Sequence, residues 1–152
     1  MKQYPDIVAF DKNGQLALTA EVKNKRGTSK EWASRMRRNM FAHGLSPSAP
    51  FCLLALPDKF YLWKNTDRPS NILEPIQEVD PRSFLQPYYE KLGVSPDKLN
   101  GKTFEFIVAA WLNQALSARS PQDLSNGDKD WLISSGLFDK LAGGRLELDE
   151  AA

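Results

Sequence analysis

One cysteine and one histidine are the only soft or imidazole ligands in this chain. Cys52 has no partner for an internal disulfide, and Cys52 with His43 cannot assemble a zinc site, which takes three or four such ligands. Cys52 lies in the apolar run Phe51-Cys-Leu-Leu-Ala-Leu56, where a thiol behaves as a small hydrophobe. His43 stands near the end of a helical stretch and reads as a dipole contact, not a catalytic base. That apolar run is among the longest in the chain, yet far short of the roughly 20 residues a membrane helix needs. Met1-Lys-Gln-Tyr-Pro-Asp6 carries no apolar stretch of the secretory kind, so the expected location is the reducing cytoplasm. There is no GxxxxGK[ST] loop, which argues against nucleoside-triphosphate hydrolysis.

What remains is an ordinary globular composition. With 152 residues, 41% hydrophobic, the chain reads as one domain over 1–152 with a real core. The net charge of +1 hides an asymmetry. Up to Lys64 there are 11 basic residues against 5 acidic; beyond it there are 9 against 14. Positive charge is densest from Lys23 to Arg38, where seven basic residues face only Glu31. Such a face is either solvated or attracts a polyanion.

Ile7-Val-Ala-Phe10 and Leu16 to Val22 are β-prone, and Asn13-Gly14 between them is a strong signal for a two-residue type I′ hairpin. Thr28 with Glu31 has the form of a capping box, opening a helix toward His43 that Gly44 would stop. Trp32, Met36 and Met40 mark its expected buried stripe. Ser46 to Pro50 reads as a linker, Phe51 to Leu56 as a buried strand, and Lys59 to Lys64 as another. Phe60, Tyr61 and Trp63 read as core residues before base-stacking ones.

No clear period appears from Asn65 to Asp80. Pro81 to Leu92, Gly101 to Ala118 and Trp131 to Ala142 look helical, giving a helical part over 81–142; Gly143 to Glu150 suits a short edge strand before an acidic tail. The whole reads as an α/β protein with a central mixed sheet of about four or five strands flanked by helices.

If the hairpin closes so that Lys12 pairs with Gln15, Asp6 falls directly opposite Glu21. Two carboxylates there repel unless a cation lies between them. Lys23 projects from the same face, because strand side chains repeat with period two, and the Val22 carbonyl stays nearby. Hard divalent ions such as Mg²⁺ favour carboxylate, carbonyl and water oxygens, and Asp6, Glu21 and Val22 supply that set. An ion held there lowers the pKa of a bound water and offsets charge on a phosphodiester under attack, with Lys23 orienting the water or holding the phosphate.

Pro5-Asp6, fourteen intervening residues and Glu21-Val22-Lys23 resemble the PD-(D/E)xK nuclease superfamily, the restriction-endonuclease-like fold. Ala55 to Lys64 also resembles segments of small bacterial, notably cyanobacterial, members and of type I restriction nuclease domains. The resemblance spans residues 4–64. It implies Asp6 and Glu21 as ligands of Mg²⁺ or Mn²⁺ and Lys23 as the catalytic lysine. It also implies Arg35, Arg38 and Asn39 on the following helix as phosphate contacts, beside the basic loop with Lys25, Arg26 and Lys30. That family tends to place a further acid on a helix ahead of the first motif strand; here five residues precede Asp6.

The function expected is that of a Mg²⁺-dependent endonuclease on nucleic acid, DNA first. The alternative is a catalytically inactive module of the same fold that binds nucleic acid or regulates a partner. A third option is a protein-interaction subunit using the acidic later half. A homodimer is compatible with either nuclease-fold reading, and a membrane partner is not expected.

Overall fold

Phe51–Ala55 is apolar and buried at every position, the pattern of a strand covered on both faces. In the computed structural model, which describes residues 5–43, 49–65, 74–124 and 126–148, this segment is β3 of a six-stranded mixed sheet. The other strands are β1 (Ile7–Phe10), β2 (Leu16–Val22), β4 (Phe60–Lys64), β5 (Gln77–Val79) and β6 (Arg145–Leu148), in the spatial order β5-β4-β3-β2-β1-β6. β2 and β3 run parallel, joined through helix α1 (Lys30–Ala42); the other neighbouring pairs are antiparallel. Helices α2 (Arg82–Leu92), α3 (Gly101–Ser117), α4 (Asn126–Ser134) and α5 (Leu137–Leu141) follow β5.

The chain is thus α/β, with six strands where four or five were expected. The added strand, β5, has only three residues, too few to show a period in sequence. β6 is the expected edge strand, while the acidic residues 149–150 lie outside the described residues. Among the described residues no helix is long and apolar enough to cross a membrane.

The two faces of the sheet carry separate cores. Against one face lie α2 to α5, and the α3 stripe Phe104, Ile107, Val108, Trp111, Leu112 and Leu116 is buried as its spacing predicts. Phe60, Phe84, Trp111 and Trp131 form an aromatic cluster with neighbouring ring centroids 5.2 to 6.0 Å apart. On the opposite face Cys52, Leu54, Leu56, Tyr61 and Trp63 pack under Ala33 and Met40 of α1. Phe60, Tyr61 and Trp63 are therefore core residues, as expected.

Several element details differ from expectation. α1 is capped by Ser29, whose Oγ accepts from Trp32 N at 3.1 Å. Thr28 is drawn instead to the buried Tyr61, with the two hydroxyls 3.0 Å apart. The buried face of α1 is Ala33, Arg37 and Met40, and Trp32 and Met36 sit half-buried on its flank. Gly44 and most of the 46–50 linker lie outside the described residues. The helix expected over 131–142 is two helices, broken where Gly136 takes φ +85°.

The hairpin also turns differently. Gly14 has φ +79°, but Asn13 has no positive φ, so the turn is not type I′. Asp11 N donates to Gln15 O at 2.8 Å and Gly14 N to Asp11 O at 2.9 Å, a turn followed by a glycine bulge. Lys12 and Gln15 are therefore not partners, and the register near the turn is one residue off the expected one. A second irregularity cancels the offset: Ala17 is an extra residue between the pairs Phe10–Leu16 and Ala9–Leu18. Beyond it run Val8–Thr19 and Ile7–Ala20, and the next residues in line are Asp6 and Glu21.

Asp11 organises this turn. Its Oδ1 accepts from Asn13 N and Gln15 N, both at 2.9 Å, and Oδ2 lies 3.4 Å from Lys140 Nζ on α5. The Gln15 amide foremost, then Asn13 and Lys140, hold the carboxyl below the ordinary aspartate pKa despite an opposing cost of burial. Because the folded-state value is depressed, this stabilisation is complete above the unfolded pKa of about 3.9 and is lost as pH falls through the lower folded value. Urea unfolding of Asp11→Ala against wild type is expected to show a lower midpoint at pH 7, with the gap closing as pH falls below about 4. A gap constant across that range would remove the ionised carboxylate from the account.

Candidate active site

Beyond the bulge, Leu18, Ala20 and Val22 enter the larger core, so Thr19 and Glu21 point to the opposite, α1 side of the sheet. Lys23, half-buried, continues that second set. Its N–H donates to Ala55 O at 3.1 Å on β3, so the N–H and carbonyl of the preceding Val22 face the other way, toward β1. A continued ladder would pair Val22 with Pro5. Pro5 has no N–H to offer the Val22 carbonyl. The Val22 N–H donates instead to Asp6 Oδ2 at 2.9 Å. The Pro-Asp dipeptide thus ends the ladder with a carboxylate and a main-chain carbonyl side by side.

Glu21 is the sealed half of the acidic pair. It is 1% exposed, both its carboxylate oxygens are shut off from solvent, and it sits next to Leu54 of β3. Asp6 is the half-exposed member. Residues opposed in this way have Cβ atoms about 4.5–5.5 Å apart. Two carboxylates at that spacing with an adjacent carbonyl are a donor set for a hard cation, and Asp6, Glu21 and Val22 fit Mg²⁺ or Mn²⁺ on those grounds. Among the described residues no group of three or more acidic, histidine or cysteine side chains gathers as a metal cluster.

The surroundings of Glu21 include two groups of opposite behaviour. Burial pushes the Cys52 thiol up to about 11, against the neighbouring Thr19 hydroxyl and the positive charge of Arg37, and with the negative charge of Glu21. The cysteine is an inert core residue, as expected. Arg37 is 6% exposed; its guanidinium lies 4.3 Å from the Phe41 ring centroid and donates from Nη2 to Asn65 Oδ1 at 2.6 Å. Desolvation lowers its pKa. The family resemblance implies Arg35 and Arg38 but not Arg37, the arginine of this helix that is buried. The signal was available in the spacing Ala33, Arg37, Met40, which is the inward face of a helix.

The basic loop is fastened at three points. Asn24 Nδ2 donates to Leu99 O (2.8 Å), Arg26 Nη2 to Pro96 O (2.7 Å), and Gly27 N to Asp58 Oδ2 (3.0 Å). Arg26, expected to touch phosphate, is thus already engaged in holding the loop against the turn before α3. Lys25 stands over the Trp32 ring, with Nζ 5.2 Å from its centroid. Lys30 is exposed at the first position of α1, and Arg35, Arg38 and Asn39 are exposed farther along. These last three line a groove of about 450 Å³ with Trp32, Met36 and Ala42. His43 is the exposed C-cap of α1 and is no part of the acidic site.

The structure therefore brings Asp6, Val22 and Glu21 together at the end of the β1–β2 ladder, with Lys23 next along the same face. It spreads the remaining basic candidates along the adjoining loop and helix. No family model, curated protein or solved structure matches the chain.

Proposed function

We propose that this protein is a Mg²⁺-dependent nuclease, Mn²⁺ serving equally, that hydrolyses phosphodiester bonds in DNA on a restriction-endonuclease-like sheet. The observation that supports this reading is Glu21: an acid buried at 1% exposure, next in register to an Asp6 whose carboxylate is held by the Val22 N–H. Removing a carboxylate from water costs several kcal/mol, and a surface ion pair would have left it solvated. Ionisable groups buried at that cost concentrate at functional sites.

Asp6, Glu21 and the Val22 carbonyl would hold the ion. When bound, it acidifies a coordinated water and offsets charge on the phosphodiester. Asp6 is kept in place by the Val22 N–H. Lys23, fixed through its own N–H to β3, orients the attacking water or steadies a non-bridging phosphate oxygen. Lys25, Lys30, Arg35 and Arg38 neutralise flanking phosphates, contacts that position a strand without reading its sequence. The cytoplasm suits such an enzyme, since Cys52 needs no oxidant.

The test is cleavage of supercoiled plasmid and of circular single-stranded DNA with millimolar Mg²⁺ or Mn²⁺. Cutting is expected only with the ion and is expected to fall at least about a hundredfold in Lys23→Ala, with DNA binding retained. Cutting that survives Lys23→Ala at the wild-type rate would overturn the assignment. One observation favours a second reading, a noncatalytic nucleic-acid-binding module: the acidic pair has no third acid among the described residues to make a larger cluster. Ion-independent binding without any cleavage would select it.

A further inference from the structure

We infer that the groove beside Trp32 seats an unpaired nucleobase, which makes single-stranded nucleic acid, or a strand end peeled from a duplex, the substrate class of the proposed site. The inference rests on the nuclease reading for its chemistry, while the binding it describes can be measured without any cleavage.

The groove's position follows from helix geometry. Residues advance by about 100° around a helix. Arg37 and Phe41 mark the flank of α1 that reaches β4, because Arg37 lies 5.8 Å from the Trp63 ring centroid and bonds Asn65. Trp32, Met36 and Asn39 stand on the opposite flank, and the strand order puts β2 on that side. Lys25, two residues beyond Lys23, sits over Trp32 and ties the indole to the loop leaving the acidic pair.

Its chemistry is mixed in a particular way. Trp32 and Met36 give an aromatic and thioether wall, Arg35 and Arg38 give cations, and among the described residues no carboxylate lines it. The volume of about 450 Å³ lies within the range of small-molecule sites, about 300–1,000 Å³. A duplex keeps its base faces stacked inside and would use only the arginines. An exposed base face uses the indole as well, and stacking of this kind tolerates any base. The arginines then meet the phosphates on either side.

Trp32 is also the natural reporter, since Trp63, Trp111 and Trp131 are 0%, 1% and 4% exposed. In EDTA, an oligo-dT strand and a mixed-sequence duplex of equal length would be titrated into the full chain, following tryptophan emission and the anisotropy of a dye on the DNA. The single strand is expected to quench emission and to bind at least ~10-fold tighter than the duplex. Trp32→Ala is expected to weaken the single strand ~10-fold and spare the duplex, with Trp32→Phe restoring most of the loss. Arg35→Ala, at an exposed position, is expected to weaken both and flatten the salt dependence.

Should Trp32→Ala not fold, adenosine monophosphate against ribose 5-phosphate decides on the wild-type chain, with quenching expected from the nucleotide alone. Equal affinity for duplex and single strand, equal losses for both in Trp32→Ala, or quenching by polyglutamate as strong as by DNA would each overturn the inference. Glu21-dependent cleavage without Trp32 quenching defeats the groove and leaves the nuclease. Base-dependent quenching without ion-dependent cleavage upholds the groove and defeats the nuclease.

Discussion

Glu21→Gln is expected to abolish Mg²⁺-dependent cleavage, with a fall of about 10²–10³ or more, and to erase the rise in melting temperature that Mn²⁺ gives the wild type. The substitution keeps the volume and hydrogen-bonding reach of the side chain in its buried place beside Leu54. What it removes is the negative charge. An ion at 100 times its dissociation constant stabilises the folded state by about 2.7 kcal/mol, which for a domain of this size is a rise of roughly 5–10 °C. If the variant melts with the same Mn²⁺ increment as the wild type, Glu21 is no ligand and the acidic pair is not the ion's site. Asp6→Asn is the matched control: its amide oxygen can still accept from the Val22 N–H that the carboxylate accepts at 2.9 Å. It should therefore lose the increment while keeping the strand end in place.

Gly144→Ala is expected to be the most destabilising glycine-to-alanine change among the described residues, costing about 3 kcal/mol or more and lowering the melting temperature by roughly 10 °C. A Cβ at Gly144 would stand 1.9 Å from the Phe10 carbonyl oxygen and 3.0 Å from that of Leu141. Both obstacles are backbone, and the first belongs to β1 where it meets β6 through the pair Phe10–Arg145. Relief therefore requires β6 to withdraw from β1. The neighbouring Gly143→Ala carries a different penalty, that of φ +79°, worth about 1–2 kcal/mol. Thermal melts of the two variants give the comparison; equal losses would mean that the close approach to Phe10 relaxes freely. Because Asp6 immediately precedes β1, Gly144→Ala should also weaken the Mn²⁺ increment, which ties a position far along the chain to the acidic pair.

Much of this arrangement could be read from the residues, and the failures have physical causes. The apolar run at Phe51 to Leu56 and the α3 stripe were legible because burial dictates composition at every position there. The opposition of Asp6 and Glu21 was anticipated from a turn that does not form. Asp11 competes successfully for the Asn13 and Gln15 amides, so the loop closes differently, and the bulge at Ala17 restores the pairing. A bulge leaves little local trace in a short apolar strand, so the agreement came through two compensating departures. The cap shifted from Thr28 to Ser29 because a tertiary partner, Tyr61, claims the threonine hydroxyl. The Trp32 groove was invisible for a related reason: helix spacing alone cannot say which flank of α1 is covered and which is left half open.

The placement of β1 has a consequence for how the molecule comes into being. Its first partner, β2, is its neighbour in sequence, and such a hairpin closes within about 1–10 µs. Its second, β6, is synthesised only after all five helices have emerged. A nascent chain on the ribosome therefore already holds its two acids in line while one margin of that strand still offers unsatisfied main-chain donors and acceptors, the hazard of any open border. Such long-range closure is the slow event in a fold of mixed topology. The protein completes the pairing of β1 last, and a product that stops short of Arg145 keeps a sticky rim in place of a finished sheet.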